Sequence, residues 1–323
     1  MKINVRHMVA LLTVCSLLAG CSGGGAGSAA TTPSVPASSP ATTPTLTIVV
    51  PDVPPTATTY PATSVAMTAA STGLTPAPAG EGVTSLTINT DPNVGFHQVY
   101  VSFAIVGGPQ NGTVKTAAIN VTSTAISQLS QVASFLKPEF GPFTDDVEGL
   151  VLNQSAWGQA LSYSGFGLWA STWLNDSQGN GAGRLFTFGF GSPTSGAAMP
   201  VSGSATYNGS TAGAGGADDF KTPNSLTALQ GNAQIVANFS TQSVNAKLTN
   251  LTTQNLYTNV TGALPDLTGT AAIAGNAYSG AIAGTGLSGS IKGTFYGPAA
   301  QETTGVWQAS GGGINWVGSF GAK

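Results

Sequence analysis

The chain has 323 residues and a formal net charge of −3, and only 7% of its residues are charged, against roughly 25% in an average globular protein. The few lysines and arginines are scattered, so no basic patch can neutralise a row of phosphates and nucleic acid is not expected as a partner. The 44 glycines stand among β-branched and aromatic residues with few strong helix formers, a composition that points to an all-β protein with many turns.

In chain order, Lys2 and Arg6 form a short cationic start, and Met8 to Leu18 is apolar and uncharged. That is the pattern of a signal-peptide core, too short to span a bilayer, which takes about 20 apolar residues. Leu18-Ala19-Gly20-Cys21 resembles a bacterial lipobox, so residues 1–20 are expected to be a lipoprotein signal peptide. Cleavage then follows Gly20, and Cys21 receives the lipid, acyl chains such as palmitate. Cys15 leaves with the signal and Cys21 is lipidated, so the chain's two cysteines supply no disulfide and stability must come from packing and hydrogen bonds. Residues 21–84 read as a tether rich in Pro, Thr and Ala. Residues 22–80 hold ten of the 19 prolines and one acid, Asp52, a composition that favours extended backbone over a packed fold. Leu46 to Val50 is an apolar island there, able to dock as a strand or stay in the tether.

Residues 85–197 form the next region. Gln98 to Val106 alternates as a strand and ends at Gly107-Gly108-Pro109. Over 124–136 the apolar positions Ile126, Leu129, Val132, Ala133 and Leu136 make one stripe, which predicts a helix capped by Thr122 or Ser123 and ended by Lys137-Pro138. Phe166 to Leu174 and Arg184 to Phe190 predict a hairpin around Asn175 to Gly183.

From residue 198 the pattern is a run of short strands, about eight of them, enough to close an antiparallel barrel with no exposed edge. Leu287, Gly289, Ile291, Gly293 and Phe295 share one face of a strand, and Ile314, Trp316, Gly318 and Phe320 share a face of another. Ile235 to Phe239 and Val244 to Leu248 predict a hairpin.

The segment Phe295-Tyr-Gly-Pro-Ala-Ala-Gln-Glu-Thr-Thr-Gly305 resembles the F-Y-G-P-x-A-x-E-x-x-G signature of the transferrin-binding protein B-like surface lipoproteins. Its motif positions are Phe295, Tyr296, Gly297, Pro298, Ala300, Glu302 and Gly305. Met199 to Gly209 resembles the strand that opens their barrel, and Phe188 to Thr194 is similar as well. The resemblance covers roughly residues 160–323. It implies an eight-stranded antiparallel β-barrel at 198–323 preceded by a smaller, mostly β handle, here with one helix. It also implies a lipid-anchored outer-membrane protein on the cell surface that binds a host iron or haem carrier or another protein ligand.

No pattern of catalytic residues accompanies this reading. Beyond the signal, His97 is the one histidine, and zinc sites need several His or Cys ligands, so neither a triad nor a metal site is expected. Asp145-Asp-Val-Glu148 lacks the spacing of a calcium loop. Gly284-Thr-Gly-Leu-Ser-Gly289 fits G-x-G-x-x-G but lies between strands, where a dinucleotide site requires a following helix. Glu302 follows the Gly297-Pro298 turn signal and has no acid or base partner nearby in sequence. It is expected to accept hydrogen bonds from free N–H groups of its own connection. The candidate ligand contacts are Trp157, Trp169 and Trp173, since tryptophan is enriched at binding hot spots; core packing is the alternative for Trp169 and Trp173, which share a strand face. The expectation is a binding lipoprotein, not an enzyme, with no cofactor beyond the lipid on Cys21. The alternatives are a binder of a small solute such as haem, held in the barrel mouth or between the two subdomains, with His97 or a tyrosine as the available haem ligands, and a structural or adhesive surface protein.

Overall fold

The computed structural model describes residues 56–323 apart from 71–72, 78, 92–97, 107–111, 116–118, 121–130, 137–146, 153–160, 175–180, 218–226 and 256–257. Cys21, the signal, Leu46 to Val50, His97 and Trp157 lie outside the described residues.

The N-terminal sheet has ten strands: β1 (Thr56–Ala70), β2 (Gly73–Pro76), β3 (Gly82–Asp91), β4 (Gln98–Val106), β5 (Gly112–Lys115), β6 (Ile119–Asn120), β7 (Gln131–Leu136), β8 (Val147–Leu152), β9 (Ser164–Leu174) and β10 (Gly181–Gly191). Their order is β5-β4-β3-β1-β10-β9-β8-β7, with β2 on β1 and β6 on β4. β1 is the pivot. Its residues Thr56–Pro61 pair with β3, and Ala62–Ala69 pair with β10. Pro61 lies where the strand changes partner, a place where its missing N–H removes least from the ladder.

Two expectations need correction here. The tether reading of 21–84 fails over 56–84, because β1, β2 and the start of β3 are paired strands. The Thr- and Ala-rich β1 buries little by itself; its backbone is satisfied by β3 and β10, which come later in the chain. The helix expected over 124–136 is not formed at its C-terminal half. Gln131–Leu136 is strand β7, paired antiparallel with β8 from Gln131↔Leu152 to Leu136↔Val147. Pairing with a distant strand outweighs the helical stripe, as tertiary context does with propensity in general. Residues 124–130 lie outside the described residues.

The C-terminal domain has nine strands: β11 (Ser204–Ala217), β12 (Thr227–Asn238), β13 (Ser243–Asn255), β14 (Thr261–Ala263), β15 (Leu267–Ala274), β16 (Ala277–Gly284), β17 (Leu287–Tyr296), β18 (Glu302–Gly311) and β19 (Ile314–Ala322). All but β14 close into an eight-stranded antiparallel barrel through β11–β12, β12–β13, β13–β15, β15–β16, β16–β17, β17–β18, β18–β19 and β19–β11. The short β14 is an extra strand on β13. The period-2 faces read from the sequence hold: Ile291, Phe295, Trp316 and Phe320 are buried in one apolar cluster, while Ser288 and Lys292 are exposed. The interior is filled with side chains. Phe295 is its hub, with ring centroids 5.8 Å from Tyr207, 5.6 Å from Phe239 and 5.2 Å from Tyr278, distances typical of favourable aromatic pairs. A single 3-10 turn, Gly196–Ala198, lies between the two domains. Among the described residues no helix is long and apolar enough to cross a membrane.

Candidate functional site

The signature residues lie on the β17–β18 connection, where the barrel meets the N-terminal handle. Strand alternation sorts them. Phe295 points into the barrel, and Glu302, Thr304 and Val306 share the opposite, outer face of β18, which is nonetheless buried. The handle is what buries it. Phe166 and Leu161 fill the notch left by Gly321 of β19, and Gly189 of β10 lies against Thr304. Ser319 Oγ donates to Gly167 O at 2.8 Å. Larger residues at 189 or 321 would hold these two sheets apart.

Glu302 is 2% exposed. Its carboxylate accepts the Ser162 N–H at 2.6 Å, the Tyr163 N–H at 2.9 Å and the Ser164 hydroxyl at 2.9 Å. The expectation that its donors come from its own connection is thus corrected: they come from the root of β9, in the other domain. The turn itself is shaped by different groups. Gly297 has φ +86°, and a Cβ there would strike the ring of Tyr163 and Oε1 of Gln301, so glycine is required both for conformation and for space. Ala300 has φ +57° and its carbonyl accepts the Tyr207 hydroxyl at 2.6 Å. Pro298 is exposed at the tip, and Gly305 packs under Phe320.

Three residues that drew no attention in the sequence complete the junction. Thr194 donates its N–H to Phe295 O at 2.9 Å and its hydroxyl to Gly297 O at 2.7 Å. Asn276 Nδ2 donates to Thr194 O at 2.7 Å, and the Gly297 N–H reaches Ser192 O at 3.1 Å. The similarity of Phe188 to Thr194 to the family pattern covered Ser192 and Thr194, and no signal in the sequence pointed to Asn276.

Of the candidate ligand contacts, Trp169 is buried at 0% exposure and stacks on Phe186, with ring centroids 5.1 Å apart. It belongs to the handle core with Phe188 and Phe190, in keeping with the core-packing alternative. Trp173 pairs through its backbone with Ala182. Tyr163 is the exposed aromatic at the junction, 36% accessible beside Gly297. Among the described residues no group of three or more His, Cys, Asp or Glu could hold a metal ion.

The phenols at this end of the barrel are strongly desolvated. Burial pushes Tyr207 up to about 12. Burial likewise raises Tyr278, with its hydrogen bond to Thr303 opposing, and raises Tyr296. None is poised to ionise near neutrality, so these groups act as hydrogen-bonding core residues.

No curated protein sequence matches the chain. Similar solved structures include the haemoglobin receptor HpuA from Kingella denitrificans, at 14% identity over 85% of this chain and 88% of that chain with a TM-score of 0.43. Intact Ap-TbpB, with N and C lobes, matches at 12% identity over 82% and 76%, TM-score 0.41. The N-lobe domain of lactoferrin binding protein B of Moraxella bovis matches at 12% identity over 80% and 99%, TM-score 0.37. Residues 199–323, which span the closed barrel and the signature turn, match the family model of the C-lobe and N-lobe beta barrels of Tf-binding protein B.

Proposed function

We propose that this chain is a lipid-anchored binding lipoprotein of the outer membrane, displayed on the cell surface, whose ligand is a host protein of the kind involved in iron acquisition. The observation that carries the reading is the match of residues 199–323 to the barrels of Tf-binding protein B. The lipobox-like Leu18-Ala19-Gly20-Cys21 supports the anchor. The Pro- and Thr-rich composition of the segment that follows Cys21 suits a tether between anchor and fold. We assign no reaction to the protein. Its buried acid, Glu302, is already engaged by three donors. A haem or other small solute inside the barrel is the weaker reading, because Tyr207, Phe239, Tyr278 and Phe295 occupy that space.

Two measurements test this. In cell fractionation, Cys21→Ser should move the protein out of the membrane fraction, since each buried acyl CH₂ contributes about 0.8 kcal/mol of membrane affinity. A cleaved variant that still sediments with membranes would remove the lipid anchor from the proposal. The immobilised chain lacking residues 1–20 should then bind one of transferrin, haemoglobin or lactoferrin saturably. Binding of none of them, together with a haem absorbance shift on adding haemin alone, would favour the small-solute reading instead.

A further inference from the structure

The handle and the barrel meet end to end through two strand pairs. Ser164 and Gly191 are opposite partners at the end of the β9–β10 ribbon, and Tyr296 and Glu302 are opposite partners at the end of the β17–β18 hairpin. On the β10 side, the chain runs straight on into the barrel. Pro193 bridges Tyr296, and Thr194 is held by Phe295, Gly297 and Asn276. On the β9 side there is no chain continuity. Residues 162–164 lie 138–140 residues before Glu302, and that carboxylate binds the last turn of chain before β9 through both of its oxygens. The β9 side is held without chain continuity, by Phe166 and Leu161 over Gly321, by the Ser319 hydroxyl on Gly167 O and, at the ribbon's end, by Glu302.

We infer that Glu302 is an interdomain latch: it fixes the handle on the barrel in one orientation before any ligand arrives, so that a ligand meets a single preformed surface and does not close a hinge at residues 192–203. Glu302 is thus a positioning residue. The contact behind it is shaped to match, since Phe166 and Leu161 seat over Gly321 and Thr304 seats against Gly189, and packed sheets of this kind do not slide continuously. A carboxylate suits the task because it offers acceptors only and meets three donors here, two backbone N–H groups and the buried Ser164 hydroxyl. The latch does not depend on the identity of the ligand.

Amide hydrogen exchange on the full chain without residues 1–20 tests it. In Glu302→Ala the Ser162 and Tyr163 amides should exchange about tenfold faster or more, the change expected when a hydrogen bond to a charged acceptor is lost. Amides of β15 and β16, on the far wall of the barrel, should keep their native rates. Glu302→Gln keeps one acceptor oxygen and turns an NH₂ toward the remaining donors, so it should fall between the two. Small-angle scattering should show a wider spread of handle orientations in the Ala variant. Unchanged exchange at 162 and 163 would overturn the latch. So would parallel acceleration throughout the barrel, which is the signature of a carboxylate that merely stabilises its own domain. If Glu302→Ala does not fold, Glu302→Gln and Ser164→Ala carry the same readouts, and a native pattern in both overturns it equally.

Discussion

At the scale of single residues, the linker end of the barrel is a cluster of phenols around Phe295. The Tyr207 hydroxyl donates a hydrogen bond to Ala300 O, and Tyr278 shares a hydrogen bond with Thr303 Oγ1 at 2.8 Å. Their raised values make a statement about stability. The folded barrel keeps its phenols neutral where the unfolded chain, with tyrosines near 10, has begun to ionise. The stability is therefore complete below pH of about 10 and is lost as pH rises through the window in which only the unfolded chain titrates. Alkaline unfolding followed by circular dichroism should show the barrel weakening between pH 10 and about 12. Tyr207→Phe should lower stability at neutral pH by about 0.5–1.5 kcal/mol, the net worth of one hydrogen bond, and should flatten the alkaline slope. A steeper slope in that variant would contradict the assignment. Gly297 makes the complementary case. Gly297→Ala places a Cβ at positive φ against Tyr163, and thermal unfolding should report a loss of about 1–3 kcal/mol; an unchanged melting temperature would mean the turn can relax away from the handle.

At the scale of elements, N-terminal deletions separate tether from fold. A chain starting at residue 51 should melt as cooperatively as one starting at residue 21. A chain starting at residue 71 lacks β1, which joins β3 to β10, and should lose the handle's cooperative transition while barrel amides stay protected. Equal melting of both would show β1 to be dispensable. The same strand shows where sequence reading stops. The hairpins β9–β10 and β12–β13 were legible because each partner is the next strand, and the two-residue period marks the buried face of both. β1 was not, since Thr, Ala and Pro61 carry almost no apolar signal and its partner β10 lies more than a hundred residues away. β7 was obscured by Ile126, Leu129, Val132, Ala133 and Leu136, whose spacing fits a helix until β8 offers its edge. The role of Glu302 was half visible: a structural carboxylate could be argued from the turn, but nothing near it in sequence names Ser162, Tyr163 and Ser164 as donors. Trp169 faced the opposite difficulty. Its residue type suggests a contact surface and its strand face the core, and the pairing that sets it beside Phe186 puts it inside.

At the scale of the molecule, the outer wall made by β18 and β19 does two jobs. Its inner face closes the barrel core through Trp307, Trp316 and Phe320, and its outer face receives the handle through Glu302, Ser319 and Gly321. β19 is also the strand that pairs with β11, from Gly209↔Ala322 to Ala217↔Ile314, and so joins the two ends of the barrel sequence. This arrangement has a temporal consequence. During synthesis, neither the barrel nor its seat for the handle exists until residues 314–322 have been made, and the early strands must wait with open edges. A chain read out in that order cannot lock prematurely. Whatever pairing the handle strands reach earlier, they have no seat until that last strand closes, so closing the barrel and docking the handle are one event.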